Sequence, residues 1–219
     1  MRLDIFSDTV CPWCFIGKRR LERALAERPM PGLEVRWRAF QLNPDMPAEG
    51  MDRQDYLTRK FGGAENAKQV YDAVRQAGEQ EGIEFAFDRI ERTPNSLKSH
   101  RLLRFAAEQD GGYGDQDPLA ERLFRLYFLE GGDISDTEVL VQAAADAGLD
   151  PDAARAYLDS GEAVEETRAE DMQARRAGIQ GVPTFIFNGQ YALSGAQEPK
   201  VLFQLFDVAR EQQDSTAAE

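Results

Sequence analysis

The sequence predicts an α/β protein in which a long helical segment interrupts a small sheet, and three observations carry that prediction. Strand-like alternation is confined to the two ends of the chain, around residues 3–10 and 33–39 at one end and 183–194 at the other. Amphipathic helical patterning fills the stretch between them. Neither group of strands is numerous enough to stand as a sheet alone, so the two ends must pair across the helices. The predicted order is β-α-β, helical insertion, β-hairpin, α. The expected division is a discontinuous domain, 1–45 plus 178–219, around an α-helical insertion domain, 46–177.

Composition bounds the reading. A chain of 219 residues can bury a sizeable core, and its 13 Phe, 6 Tyr and 2 Trp are too many for a solvated coil. No run approaches the ~20 apolar residues that a membrane helix needs. With 39 acidic against 26 basic side chains the net charge is −13, which argues against nucleic acid and anionic membrane surfaces as partners. The opening residues carry acids inside the apolar stretch and no positive region feeding a long hydrophobic one. No secretory signal is therefore expected, and the cytoplasm is the expected location. A zinc site of Cys and His needs four ligands, and Cys11, Cys14 and His100 are all the chain has, so no metal is expected.

Taken in order, Leu3, Ile5 and Val10 mark a short strand running into Cys11. A helix follows from Pro12 to about Arg28, proline being well placed at an early helical position. Phe15, Ile16, Leu21 and Leu25 form its apolar side, and Lys18, Arg19, Arg20 and Glu22 are expected on the wet side. It stops before Pro29-Met30-Pro31-Gly32, and the alternation from Leu33 to Ala39 predicts a second strand.

The middle zone is predicted helical throughout. Asp52 opens a helix that Gly62-Gly63 ends, a second runs from Ala64 to near Glu81, and Pro94 begins a third. Asp117-Pro118 reads as an N-cap and first-turn pair, Ser135-Asp-Thr-Glu138 as a capping box, and Gly148 as the residue after that helix. Asp150-Pro151 starts another helix, Gly161 stops it, and a last one runs to Gly178. Beyond it, residues 183–188 form a strand, Asn188-Gly189 a hairpin turn, and residues 190–194 the return. A helix from Glu198 to about Gln212 buries Val201, Leu202, Leu205, Phe206 and Ala209, and residues 214–219 are expected to be disordered.

Cys11-Pro12-Trp13-Cys14 falls where the first strand ends and the first helix begins. The spacing i, i+3 brings both sulfurs to one helical turn, close enough to bridge. At a helix N-terminus the unpaired N–H groups and the dipole stabilise a thiolate, so Cys11 is expected to have a lowered pKa. Cys14, one turn deeper, is expected to stay a thiol until needed. An exposed attacker with a protected resolving neighbour is what dithiol–disulfide exchange requires. A purely structural disulfide is the weaker reading: so short a loop contributes about 2 kcal/mol, and such bonds are rare in the cytoplasm. Half a zinc knuckle lacks its second pair.

A second feature is Gly181-Val182-Pro183-Thr184 at the entrance to the third strand. Proline cannot donate to a sheet ladder, which places it at a strand start or edge. A cis Val182–Pro183 bond would turn the Val182 N–H and C=O outward, to pair with an extended substrate beside the cysteines. An ordinary trans proline entering a strand is the competing reading.

The strand-CxxC-helix start, the helical insertion and the later Val-Pro strand resemble the thioredoxin superfamily, in its DsbA-like branch. Residues 7–17, Ser-Asp-Thr-Val-Cys-Pro-Trp-Cys-Phe-Ile-Gly, are similar to the FrnE-type cytoplasmic oxidoreductases, as are Asn95-Ser96, His100-Arg101-Leu102 and Ser194-Gly195-Ala196-Gln197. The resemblance implies a thioredoxin fold interrupted by an α-helical domain, and thiol–disulfide exchange with no bound cofactor. It gives Cys11 the nucleophile's role, Cys14 the resolving role and Pro183 that of the cis-proline. The partners implied are disulfide-bonded or thiol-containing polypeptides, or glutathione, with a cellular thiol reductant.

The sequence departs from the family's pattern in two ways. Where thioredoxin and DsbA carry a buried acid six residues before the first cysteine, this chain has Ile5. Asp8 could substitute, yet a carboxylate there could equally raise the Cys11 pKa. The second cysteine pair that some FrnE relatives carry near the C-terminus is missing from the sequence. Kappa-class glutathione transferases and hydroxychromene-carboxylate isomerases share the architecture and the Asn…His-Arg signature, but use a serine where this chain has Cys11. A third reading, a polypeptide-binding holdase, would not need Cys11.

Other residues are open to two readings. Trp13 either lies exposed at the site's rim, where an aromatic contacts polypeptide, or packs on the insertion. His100 is either a packed helical histidine or, with Asp8 and Asn95, lines a cleft facing Cys11. Lys18, Arg19 and Arg20 are expected on a solvated face that adds positive potential near a thiolate. Pro12-Trp13 tunes the reduction potential within the span of about −270 to −120 mV known for CxxC proteins, and the sequence leaves the redox direction open.

Overall fold

The computed structural model describes residues 1–109 and 116–217. β1 (Arg2–Ser7) leads through residues 8–11 into α1 (Pro12–Glu27), and β2 (Glu34–Ala39) returns parallel to β1, with Leu3 opposite Val35 and Ile5 opposite Trp37. The chain then leaves the sheet. A two-residue ladder pairs β3 (Met51–Asp52) with β4 (Arg92–Thr93), around α2 (Arg53–Phe61) and α3 (Ala64–Glu79). Five helices follow: α4 (Leu97–Glu108), α5 (Gln116–Phe128), α6 (Thr137–Asp146), α7 (Pro151–Ser160) and α8 (Val164–Arg176). The chain rejoins the sheet as β5 (Thr184–Phe187) and β6 (Tyr191–Ser194), and α9 (Pro199–Ala217) closes the fold.

The sheet order is β2-β1-β5-β6, so the strands from the two chain ends do pair, β1 against β5 with Ile5 opposite Phe185. One face, carrying Leu3, Ile5, Phe185 and Phe187, packs on α1 and α9. On the other, Phe6 and Ile186 pack with Phe40, Ala174 and Ile179. The two sides of α1 share one apolar core with the helical segment. Phe15 stacks on Phe124 of α5, ring centroids 5.3 Å apart, and Phe85 and Phe128 meet it edge-on and stacked. Each such buried ring contributes about 1.5–3 kcal/mol relative to exposure.

β2 is an edge strand, and side chains from the helices close it. The Trp37 N–H donates to Gln116 Oε1 at 2.9 Å and the Gln116 amide donates back to the Trp37 carbonyl at 3.2 Å. Glu170 accepts the Ala39 N–H and Asp171 the Gln41 N–H. A blocked edge cannot recruit another chain's strand.

Local signals place most element ends correctly. Asp52 and Asp150 cap α2 and α7 through two backbone N–H groups each, Gly62 and Gly161 take left-handed conformations, and Gly148 follows α6 with φ 90°. The Asn188-Gly189 turn has φ 48° and 72° and is closed by the Gln190 N–H on the Phe187 carbonyl. Other expectations are corrected. The middle zone is not helical throughout, because β3, β4 and a 3₁₀ turn at Phe87–Arg89 lie within it, too short to carry a periodic signal. α4 starts at Leu97, not Pro94, where the Asn95 side chain takes the first free N–H. α6 is capped by Asp136 in place of Ser135, its carboxylate accepting the Glu138 and Val139 N–H groups. Asp117 lies within the first turn of α5, where it accepts the Trp37 indole N–H and pairs with Lys18. α9 continues past Gln212 to Ala217, and the last two residues of the expected tail lie outside the described residues. Among the described residues no helix is long and apolar enough to cross a membrane.

Candidate active site

Cys11 is the N-cap residue of α1, in extended conformation (φ −98°, ψ 112°), and Pro12 follows at the helix start, where its lacking N–H costs nothing. The cap has no side-chain hydrogen bond. The segment from β1 sets the position: the Asp8 carbonyl accepts the Cys11 N–H and the Cys11 carbonyl accepts the Cys14 N–H, both at 3.0 Å. The two cysteines are free thiols.

Opposite α1 stands the start of β5. The Val182–Pro183 bond is cis, and the Cys11 Sγ–H donates to the Val182 carbonyl at 3.7 Å. The Pro183 carbonyl accepts the Gly195 N–H at 2.8 Å, and the Arg20 guanidinium holds the Ala196 carbonyl at 2.6 Å. The Ser194-Gly195-Ala196-Gln197 segment thus braces the Val-Pro turn from behind. Gly17 is the close-approach point: a Cβ there would stand 2.9 Å from Pro183 Cγ.

Both sulfurs are buried, Cys11 at 4% exposure and Cys14 at 1%. The exposed attacker expected from the sequence is therefore corrected, because the Val182 carbonyl covers the Cys11 sulfur. Burial drives the Cys14 pKa well above the ordinary thiol value, and the adjacent Cys11 sulfur adds to the rise. The Ser7 hydroxyl and the Asp8 backbone work in the opposite direction. Trp13, by contrast, is 38% exposed and lies at the rim.

Asp8 is fully enclosed rather than lining a cleft. Its carboxylate accepts the Leu42 N–H at 2.6 Å and the Val10 N–H at 3.3 Å. His100, on α4, is buried too, and its Nε2 finds no hydrogen bond, standing 3.5 Å from Asp8 Oδ1. Next to it, Ser99 bonds Thr9 at 2.7 Å, which fastens α4 to the segment before the cysteines. His100 borders a cleft of about 460 Å³ with Trp37, Leu103 and Glu170. Asn95 borders another of about 480 Å³ with Gln41, Lys98 and Arg168. Neither cleft is lined by Cys11, Cys14, Val182 or Pro183. Arg101 holds the carbonyls of Tyr157, Leu158 and Glu162 and so fastens the end of α7 to α4.

Lys18 and Arg20 are not on a solvated face. α3, α5 and the start of α9 pack over that side of α1 and bring carboxylates with them. Lys18 meets Glu22, Asp117 and Glu121, and Arg20 meets Glu81 and Glu198. Burial by itself would lower the Lys18 pKa, but Asp117 and Glu22 outweigh it and hold it raised. Positive charge on this side is thus spent on carboxylates. Sequence reasoning did not single out Gly17 as functional, although it lies within the stretch that carried the resemblance.

Comparison with known proteins bears on the family and the fold. The uncharacterised protein YwbO of Bacillus subtilis is 27% identical over 204 residues, which cover 90% of each chain. A probable DsbA oxidoreductase from Streptomyces coelicolor is 34% identical, with a TM-score of 0.85 over 96% of this chain and 90% of that one. The cytosolic disulfide reductase DsbM of Pseudomonas aeruginosa, solved with glutathione, shares the fold at 20% identity, with a TM-score of 0.65 over the whole of both chains. The model of the DsbA-like thioredoxin domain matches residues 2–207, and the chain belongs to that family, with the thioredoxin fold interrupted by its helical insertion.

Proposed function

We propose that this protein is a thiol–disulfide oxidoreductase of FrnE type, working in the cytoplasm through Cys11 and Cys14. In this reading 1–45 plus 178–219 is the thioredoxin-like domain and 46–177 its insertion. One observation carries the proposal: two free thiols share the first turn of α1, with the Val182 carbonyl 3.7 Å from the first. The Cys11 thiolate attacks one sulfur of a substrate disulfide, and the other sulfur leaves as a thiolate and takes up a proton. Cys14 then attacks Cys11, the mixed disulfide breaks, and the second substrate thiol is released with the proton that Cys14 gives up. The two electrons that reduce the substrate come from the protein dithiol, which a cellular thiol reductant regenerates. The reverse sequence oxidises a dithiol.

Val182 would hold an extended polypeptide through its backbone, and Pro12 and Trp13 would border the bound chain. Glutathione is proposed as a redox partner, in keeping with the glutathione complex of DsbM, and no bound cofactor is required. The test is turnover of a disulfide-bonded protein, insulin, by the parent and by Cys11→Ser with a thiol reductant. Activity that vanishes with Cys11 is the expected result. An inactive parent that binds glutathione tightly would replace the proposal with a glutathione-dependent isomerase or transferase. Polypeptide binding that survives Cys11→Ser without turnover would replace it with a holdase.

A further inference from the structure

Arg20 lies on the side of α1 that helical spacing turns to water, yet it is buried. A buried guanidinium is costly unless its donors are met. Here the planar fork donates in three directions: Nε to Glu81 at 2.8 Å, Nη1 to the Ala196 carbonyl at 2.6 Å and Nη2 to Glu198 at 2.7 Å. Glu81 follows α3 in the helical insertion, and its side chain is enclosed as well. Arg23, on the next turn of α1, meets both carboxylates from the wetter side, Glu81 at 3.0 Å and Glu198 at 3.1 Å. Two arginines thus balance two glutamates, and the bond to the Ala196 carbonyl is one that charge balance does not require.

That carbonyl belongs to the turn after β6. Its neighbour Gly195 donates its N–H to the Pro183 carbonyl at 2.8 Å, one step beyond the Thr184–Ser194 pair that ends the β5–β6 ladder. Gly17, one turn before Arg20 on the same helix, faces both parts of this turn: a Cβ there would stand 2.9 Å from Pro183 Cγ and 3.6 Å from the Ala196 Cβ. A continuous run of contacts therefore leads from Glu81 through Arg20, Ala196 and Gly195 to Pro183. It ends beside the Val182 carbonyl that faces Cys11.

We propose that Arg20 is a positioning residue: held by Glu81 of the insertion, it fixes the Ala196 carbonyl and, through Gly195, the Val182-Pro183 backbone on which an extended polypeptide is bound. The inference rests on the exchange reading above, and on Val182 as the polypeptide's backbone partner. Arg20 takes no part in the chemistry of the thiols. Its effect falls on the binding of a polypeptide, which uses the Val182 backbone, and spares a small disulfide, which does not. The helical insertion thereby contributes to polypeptide affinity through a side chain it holds from behind the site.

The test sets KM and kcat for insulin, per folded molecule, beside the rate with 5,5′-dithiobis(2-nitrobenzoate). Arg20→Lys keeps a cation for Glu81, but an ammonium donates from one atom and cannot span all three partners. It should raise KM for insulin about tenfold, the weight of one hydrogen bond from a charged donor. Its kcat and its small-disulfide rate should stay at the parent's level, as loss of uniform binding requires. Glu81→Gln should raise KM about threefold, the weight of one weakened hydrogen bond. In the Arg20→Lys background it should add no more than about twofold, because the two side chains act as a unit. An unchanged KM in Arg20→Lys, or equal losses on insulin and the small disulfide, would overturn the positioning role. Fully additive effects would overturn the link to the insertion. Should Arg20→Lys not fold, an unchanged KM in Glu81→Gln overturns the proposal by itself. A parent that turns over neither disulfide would instead overturn the exchange reading.

Discussion

Gly17 and Pro183 are in contact across the junction of α1 and β5, close enough that a Cβ on Gly17 would lie 2.9 Å from Pro183 Cγ and 3.4 Å from the Phe185 ring. That approach sets how near the helix bearing Cys11 and Cys14 can come to Val182. Gly17→Ala is expected to destabilise the protein by about 1–3 kcal/mol, the usual cost of overpacking a core. Because the shift falls between the thiols and the Val-Pro turn, insulin turnover should fall further than the loss of folded protein accounts for. Urea unfolding measured beside turnover checks this, and a variant with normal activity per folded molecule would contradict it.

The Phe15–Phe124 stack joins α1 to the helical segment, and both rings are 1% exposed. Phe124→Ala should cost about 3–5 kcal/mol through lost burial and the cavity left behind. A lower urea midpoint at unchanged m-value is the expected signature.

Burial raises the Cys14 pKa in the folded state above its unfolded value. A raised thiol pKa means that the folded protein binds more protons than the unfolded chain across the interval between the two values. The stabilising effect is therefore present below the unfolded cysteine pKa and is lost as pH rises through the folded one. The reduced protein should lose stability between about pH 7 and pH 10, and Cys14→Ala should lose less of it. Urea midpoints of both proteins at the two pH values test the sign.

Trp13 is 38% exposed beside two buried sulfurs. Its aromatic face is available to a polypeptide but unnecessary for a small disulfide. Trp13→Ala is expected to raise KM for insulin by about tenfold, in keeping with loss of an aromatic anchor. Its rate with 5,5′-dithiobis(2-nitrobenzoate) should stay at the parent's level. Equal losses on both substrates would place Trp13 in the chemistry rather than in substrate contact.

Much of the fold was legible because its signals are local. A carboxylate capping two N–H groups at Asp52 or Asp150, a left-handed glycine at Gly62 or Gly161, and the Asn188-Gly189 turn each act within a few residues. The corrected elements are those where a distant partner won. Asp117 did not cap α5 because Trp37 and Lys18, remote in sequence, compete for its carboxylate. Lys18 and Arg20 look solvent-facing on a helical wheel, yet three helices close over them.

The sequence by itself determined the pairing of Cys11 with Cys14 on one helical turn, the proline at the start of the third strand and the split arrangement of strands around a helical segment. These follow from spacing, backbone restriction and periodicity, which operate over one or two turns of chain. Only the tertiary structure decided that Val182 covers the Cys11 sulfur, that Asp8 turns away to Leu42, and that Gly17 meets Pro183. Two of those contacts join residues separated by the whole insertion, and the contact of Asp8 with Leu42 depends on how the segments after β1 and β2 pack together. No local rule reaches that far, so they exist only once β1 and β5 have paired.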